Sequence, residues 1–188
     1  MVKIYVVDNG GQWTHREWRR LRDLEVETKI VPNFVLFSDI KDVDGLVLSG
    51  GAPRIGLKGD LGNCAEILEK ADFPILGICA GHQFMARYFG GEVKPSKIPE
   101  FGKIELSILK SSPLLEHVPK TSIVWESHND EVSILPKNFE LLAESENCKI
   151  QAMTHFDKPF FGVQFHPEVE HTECGEAIFK NFIKICKD

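Results

Sequence analysis

The chain has 188 residues, 43% hydrophobic and 27% charged, with a formal net charge of -6, enough for one domain with a substantial core. The acidic balance provides no general attraction to nucleic acid or to an anionic membrane, so neither is expected as a partner. No run of roughly 18 apolar residues marks a membrane-spanning helix, and the first residues lack the apolar region and cleavage site of a signal peptide, so a cytoplasmic location is expected.

In chain order, Lys3–Asn9 reads as a strand ending in polar residues and glycine. His15–Leu24 reads as a helix with Trp18, Leu21 and Leu24 toward one face. Its arginines, Arg16, Arg19, Arg20 and Arg22, read as a solvated face. Strands follow at Val26–Pro32 and Gly45–Gly51, then a helix at Gly62–Ala71. Pro74–Cys79 is a continuous apolar strand, as expected for one buried on both faces. A helix with a glycine stop then runs from Gly81 toward Gly90 and Gly91. Strands alternating with helices imply a mostly parallel sheet with helices on both sides. From Phe101 the pattern changes to short strand candidates separated by turn residues, at Gly102–Leu109, Ser122–Ser127, Glu131–Leu135, Phe139–Ser145, Ile150–His155 and Phe160–His166. "SHNDEV" (Ser127–Val132) reads as a polar loop between two of them, with His128 and Asp130 as pocket or partner contacts. Glu173–Lys187 closes the chain as an amphipathic helix with Ile178, Phe179, Phe182, Ile183 and Cys186 near one stripe. No linker or repeat is visible, so residues 1–188 read as a single three-layer α/β/α domain.

The five cysteines, Cys64, Cys79, Cys148, Cys174 and Cys186, form no CxxC pair. A disulfide framework or zinc ribbon is therefore not expected, and four of the five read as small buried hydrophobes. Cys79 differs. Gly77-Ile78-Cys79-Ala80-Gly81 has the G-x-nucleophile-x-G form of a sharp strand-to-helix turn, in which small neighbours let strand and helix approach. The turn sets Cys79 at a helix N-terminus, where the dipole favours a thiolate and backbone N–H groups can receive an oxyanion. Taken alone, the pattern also fits a structural cysteine at a tight turn.

A nucleophile needs a base and a group that orients the base. In "QFHPEVEHT", His166 and Glu168 are two apart and share a side of an extended backbone, with Pro167 stiffening the pair. Gly50 and Gly51, ending "LSGG", offer unshielded N–H groups that could complete an oxyanion hole with Ala80. His166, His171 and Cys174 have irregular spacing for a metal, and no metal is expected. "SGG" lacks the Asp and Ser of a pyrophosphate-binding loop, with Pro53 and Arg54 in their places, and no P-loop is present, so no ATP site is expected on this chain.

"GICAGHQ", "HPEVEHT" and "LSGG" together resemble the class I, triad-type glutamine amidotransferases over nearly the whole chain. "VDNGGQWTHR" and "SHNDEV" are similar to segments of the GMP-synthetase glutaminase branch, with Asn9 and Asn129 as departures and Ala52 inserted before Pro53. The resemblance implies a flavodoxin-like fold and a triad of Cys79, His166 and Glu168. It also implies Gly51 and Ala80 as oxyanion donors and Gln83 beside a glutamine substrate. It further implies a separate ATP-pyrophosphatase-type synthetase subunit that carries ATP and magnesium and converts XMP to GMP with the ammonia released here. A glutaminase subunit of another amidotransferase, such as anthranilate synthase, or a stand-alone cysteine hydrolase are the alternatives.

Overall fold

The computed structural model describes residues 1–187. In chain order the elements are β1 (Ile4–Asn9), α1 (Thr14–Asp23), β2 (Ile30–Pro32), β3 (Gly45–Gly51), α2 (Cys64–Lys70), β4 (Ile75–Ile78), α3 (Ala80–Tyr88), β5 (Glu92–Ile108), β6 (Thr121–Ile134), β7 (Phe139–Glu144), β8 (Ala152–His155), β9 (Phe160–Val163) and α4 (Gly175–Ile185). The strands form one nine-stranded sheet in the order β2-β1-β3-β4-β9-β8-β7-β5-β6. Pairing is parallel from β2 through β1, β3 and β4 to β9 and antiparallel from β9 outward to β6. The parallel half has the doubly wound order of flavodoxin-like folds, with the antiparallel strands extending one side.

The period of two in the central strands divides the core. Val47, Leu76, Ile78, Phe161 and Val163 face one side with Leu21 of α1 and Ile178, Phe179 and Phe182 of α4. Leu46, Leu48, Ile75 and Phe160 face the other with Ile67 and Leu68 of α2 and Phe84 and Met85 of α3. Successive side chains on a strand point to opposite faces, so each apolar strand serves both layers. Each fully buried Leu or Phe contributes about 1.5–3 kcal/mol.

Three sequence expectations change. "SHNDEV" is not a loop: it lies inside β6, which runs unbroken as Thr121–Ile134 where two strands were expected. Its inward positions are Ser122, Val124, Glu126, His128, Asp130 and Val132, so buried polar residues occupy much of the alternating pattern and mask it. β5 begins at Glu92, ten residues ahead of Gly102, through an exposed stretch paired to β6 with a register shift between Pro95 and Glu100. β2 is only Ile30–Pro32, shorter than Val26–Pro32. Among the described residues no helix is long and apolar enough to cross a membrane.

Candidate active site

The parallel pairing of β1, β3, β4 and β9 brings their carboxyl ends to one edge of the sheet, the edge where open α/β sheets bind ligands. Gly10, Gly50 and Gly51, Cys79, and His166 with Glu168 meet there around a cavity of about 300 Å³.

Cys79 occupies the N-cap of α3 with φ 48° and ψ -105°. A non-glycine residue at such a φ is strained by about 1–3 kcal/mol and needs neighbours that hold it there. The two flanking glycines have steric reasons. A Cβ on Gly77 would lie 2.8 Å from the Gly81 backbone, and one on Gly81 would collide with the Leu48 carbonyl. The Cys79 N–H donates to the Val163 carbonyl at 2.9 Å, tying the turn to the end of β9. The thiol lies 3.9 Å from the Ser127 carbonyl, and the Gln164 amide donates to the sulfur at 3.6 Å.

His166 and Glu168 are both buried, and His166 Nδ1 meets Glu168 Oε1 at 2.7 Å. The carboxylate therefore fixes the ring. His166 Nε2, the other ring nitrogen, has no hydrogen-bond partner among the described residues, and the ring lines the same cavity as Cys79. Burial opposes a charge on the ring, but Glu168 and Cys79 outweigh it and hold the imidazole pKa well above its ordinary value. Trp13 packs edge-on to His166, with ring centroids 4.5 Å apart.

The remaining sequence candidates separate. Gly51 lines the cavity. Ala80 does not line it but follows Cys79 directly in the first turn of α3, where backbone N–H groups lack intrahelical acceptors. Gln83, expected beside the substrate, does not line the cavity. It is buried, and its amide donates to the Asp130 carbonyl at 2.7 Å and to Gln164 Oε1 at 3.0 Å. Its side chain is linked to the Cys79 sulfur through Gln164, while its N–H donates to the Cys79 carbonyl at 2.9 Å. His128 and Asp130, expected as pocket or partner contacts, are buried on the inward side of β6. His128 Nε2 meets Glu100 at 3.1 Å and Nδ1 meets the Asp130 carbonyl at 2.9 Å. The Asp130 carboxylate binds the Arg54 guanidinium and accepts the Gly56 N–H at 3.0 Å. It thereby pins Arg54 and Gly56, just after "SGGAP".

His171, weighed above as a metal ligand, is outside the cavity and packs against Trp125. Glu100, His128 and Cys148 do converge in the core. There the histidine and carboxylate already bond each other, and Ser145 and Gln151 also donate to Glu100. Cys64, Cys148 and Cys174 are buried, as their reading as small hydrophobes requires, and Cys186 is half-buried.

Sequence reasoning passed over Glu17, Trp13 and Ser127, all of which line the cavity. Glu17 sits in the arginine-rich helix and resembles another surface charge. The only signal was its spacing with Thr14 and Leu21, three and four residues apart on one helix face.

A strained cysteine at a strand-to-helix turn, a histidine locked by a buried glutamate, and the glycine-rich end of β3 beside them have the arrangement of a triad-type cysteine hydrolase site. The family model for class-I glutamine amidotransferases matches residues 5–186, and the chain belongs to that family. It is 54% identical over 188 residues to a glutamine-hydrolysing GMP synthase subunit of Thermoplasma volcanium, covering 100% of this chain and 93% of that one. It is 49% identical to the protein of the same name from Pyrococcus abyssi, covering 97% of this chain and 98% of that one. Among solved structures, one described as a GMP synthase subunit of Thermoplasma acidophilum superposes with a TM-score of 0.95 at 52% identity, covering 100% of this chain and 94% of that one. A glutamine amidotransferase of Thermotoga maritima, 18% identical and covering 99% of this chain and 96% of that one, shares the fold with a TM-score of 0.78.

Proposed function

We propose that this chain is the glutamine-hydrolysing subunit of a two-subunit GMP synthase of the cytoplasm. The observation that carries the reading is near-half identity along the whole chain to proteins named as that subunit, together with an intact Cys79–His166–Glu168 arrangement. The Cys79 thiolate attacks the side-chain amide carbon of glutamine. Backbone N–H groups of Ala80 and Gly51 receive the negative charge that develops on the amide oxygen. His166, oriented by Glu168, gives its proton to the departing nitrogen, which leaves as ammonia. A γ-glutamyl thioester remains on Cys79. His166 then takes a proton from water as the water attacks the thioester, and glutamate leaves with the thiolate restored.

Ammonia produced here serves a separate ATP-pyrophosphatase-type synthetase, which activates XMP with ATP and magnesium and converts it to GMP. Nothing in this chain's own motifs offers a phosphate-binding loop, so ATP and magnesium belong to that partner. The test is reconstitution with such a synthetase, ATP, magnesium, XMP and glutamine. GMP and glutamate should form together, and both should vanish with Cys79→Ala. Ammonia delivery to a chorismate-using enzyme instead would overturn the assignment in favour of another amidotransferase.

A further inference from the structure

Gly50 lies against the reacting groups. A Cβ at this position would stand 3.2 Å from His166 Cε1 and 3.6 Å from Cys79 Cβ. Absence of a side chain lets the triad close over it, but it leaves the backbone free to rotate just where a peptide must point steadily. Two contacts remove that freedom. The Gly50 N–H donates to Glu17 Oε1 at 3.3 Å. The Gly50 carbonyl accepts from Ser49 Oγ at 2.8 Å. Because a trans peptide holds its N–H opposite its C=O, anchoring the Gly50 carbonyl also sets the direction of the Gly51 N–H. With both flanking peptides held, neither backbone torsion of Gly50 can drift.

Both anchors are tied to α1. Thr14 and Glu17, one turn apart, face the end of β3. Thr14 Oγ1 lies 3.3 Å from Ser49 Oγ, which also accepts the Asn9 N–H at 3.0 Å. Glu17 is 1% exposed, and its second oxygen, Oε2, has no partner among the described residues. A carboxyl group kept out of water with a single backbone bond is costly and calls for a reason.

We propose that Glu17 is a positioning residue for glutamine hydrolysis: by holding the Gly50 N–H it fixes the Gly50–Gly51 turn against Cys79 and His166, so that the Gly51 N–H meets the oxyanion. The inference rests on the glutaminase reading and adds to it a side chain from α1. Burial first, then repulsion from Glu168, hold the Glu17 carboxyl well above the usual carboxylate range. Its neutral form still accepts the Gly50 N–H and adds no further negative charge beside Glu168 and Cys79. This use of the residue needs its acceptor oxygen, not its charge.

The experiment compares Glu17→Leu, Glu17→Gln and Ser49→Ala in the complex with the synthetase, with the unsubstituted protein alongside. Leu keeps the volume and is easily buried but removes the acceptor; Gln keeps the acceptor and removes the ionisable group; Ala at 49 releases the other anchor. Removing an oxyanion donor outright costs about 10²–10³-fold in kcat, so a misaimed donor should cost roughly 10–100-fold. Glu17→Leu and Ser49→Ala should lose that much in kcat with KM for glutamine little changed, and Glu17→Gln should restore most of the rate. Alkylation of Cys79 by iodoacetamide forms no oxyanion and should proceed in Glu17→Leu at close to the unsubstituted rate. Glu17→Leu with full kcat, or Glu17→Gln as slow as Glu17→Leu, would overturn the proposal. With the unsubstituted protein hydrolysing glutamine in the same assay, either result refutes the role of Glu17 without touching the triad.

Discussion

Glu168→Gln isolates the contribution of the carboxylate to the triad. The His166 Nδ1 to Glu168 Oε1 separation is 2.7 Å. At an effective dielectric constant near 20, unit charges at that distance attract by about 6 kcal/mol. Desolvating a buried imidazolium and carboxylate offsets a good part of this. A differential of about 3–5 kcal/mol remains between the charged and neutral rings, and at 1.36 kcal/mol per tenfold it corresponds to roughly 10²–10⁴ in rate. The amide also presents its N–H₂ or its oxygen to Nδ1 with no charge to prefer one, so the ring can settle in the unproductive tautomer. The assay is glutamate release with the synthetase present, measured across pH. The sign is fixed by the direction of the His166 shift. The ring stays protonated above its ordinary pKa because Glu168 and Cys79 overcome the effect of burial. Loss of the Glu168 charge should therefore move the alkaline limb of kcat/KM to lower pH as well as lowering its height. Activity within fivefold of the unsubstituted protein, with an unmoved alkaline limb, would refute the assigned role of Glu168. His166→Ala should cost more than Glu168→Gln, because it removes the proton carrier itself.

Three further outcomes follow from other contacts. Gly50→Ala puts a methyl 3.2 Å from His166 Cε1; a ring displaced by a few tenths of an ångström should lower kcat about 3–10-fold with little change in melting temperature, and an unchanged kcat would show that the ring has slack. Gln83→Met removes the amide shared by the Asp130 carbonyl and Gln164; stability should fall by about 1–3 kcal/mol with KM for glutamine nearly unchanged, whereas a large rise in KM on an unaltered fold would restore Gln83 as a substrate contact. Glu126, buried among Glu100, His128 and His166, is pushed up to about 8, chiefly by burial. A raised carboxyl contributes stability that is complete below its unfolded pKa of 4.5 and is lost as pH rises through about 8. Melting temperature should thus fall between pH 5 and 8, and Glu126→Gln should flatten that fall; identical profiles for the two proteins would contradict the burial of a protonated Glu126.

The doubly wound half of the fold was legible because its strands carry their own signals. "GLVLSGG" and "PILGIC" are apolar on both faces, and Gly77 and Gly81 are glycines for steric reasons that a spacing rule already encodes. The placing of Cys79, His166 and Glu168 around one cavity was legible because a strand-to-helix turn and a two-residue spacing act locally, although residues 166–169 form a turn, with the Val169 N–H donating to the His166 carbonyl at 3.3 Å, and not the extended run expected. What depended on distant partners was hidden. β6 was divided in two because Glu126, His128 and Asp130 fill inward positions: His128 is satisfied by Glu100 on β5 and Asp130 by Arg54 and Gly56 beyond β3, while Glu126 lies 3.7 Å from His128. Periodicity counts polar residues as outward-facing, so a buried polar network erases the strand it belongs to. Glu17 was missed on the same ground: its backbone partner lies 33 residues away on β3. Gln83 was placed by family resemblance, while its orientation was decided by Asp130 and Gln164, residues that no local pattern joins to it.

The most direct test of the nucleophile is to mix the complex with glutamine, quench in acid within one turnover, and map the adduct by peptide mass spectrometry. The expected result is one glutamyl group, labile to hydroxylamine, on the peptide containing Cys79, and no adduct in Cys79→Ala. Glutamate formation with no such adduct, or with the adduct on another residue, would contradict a thioester mechanism at Cys79.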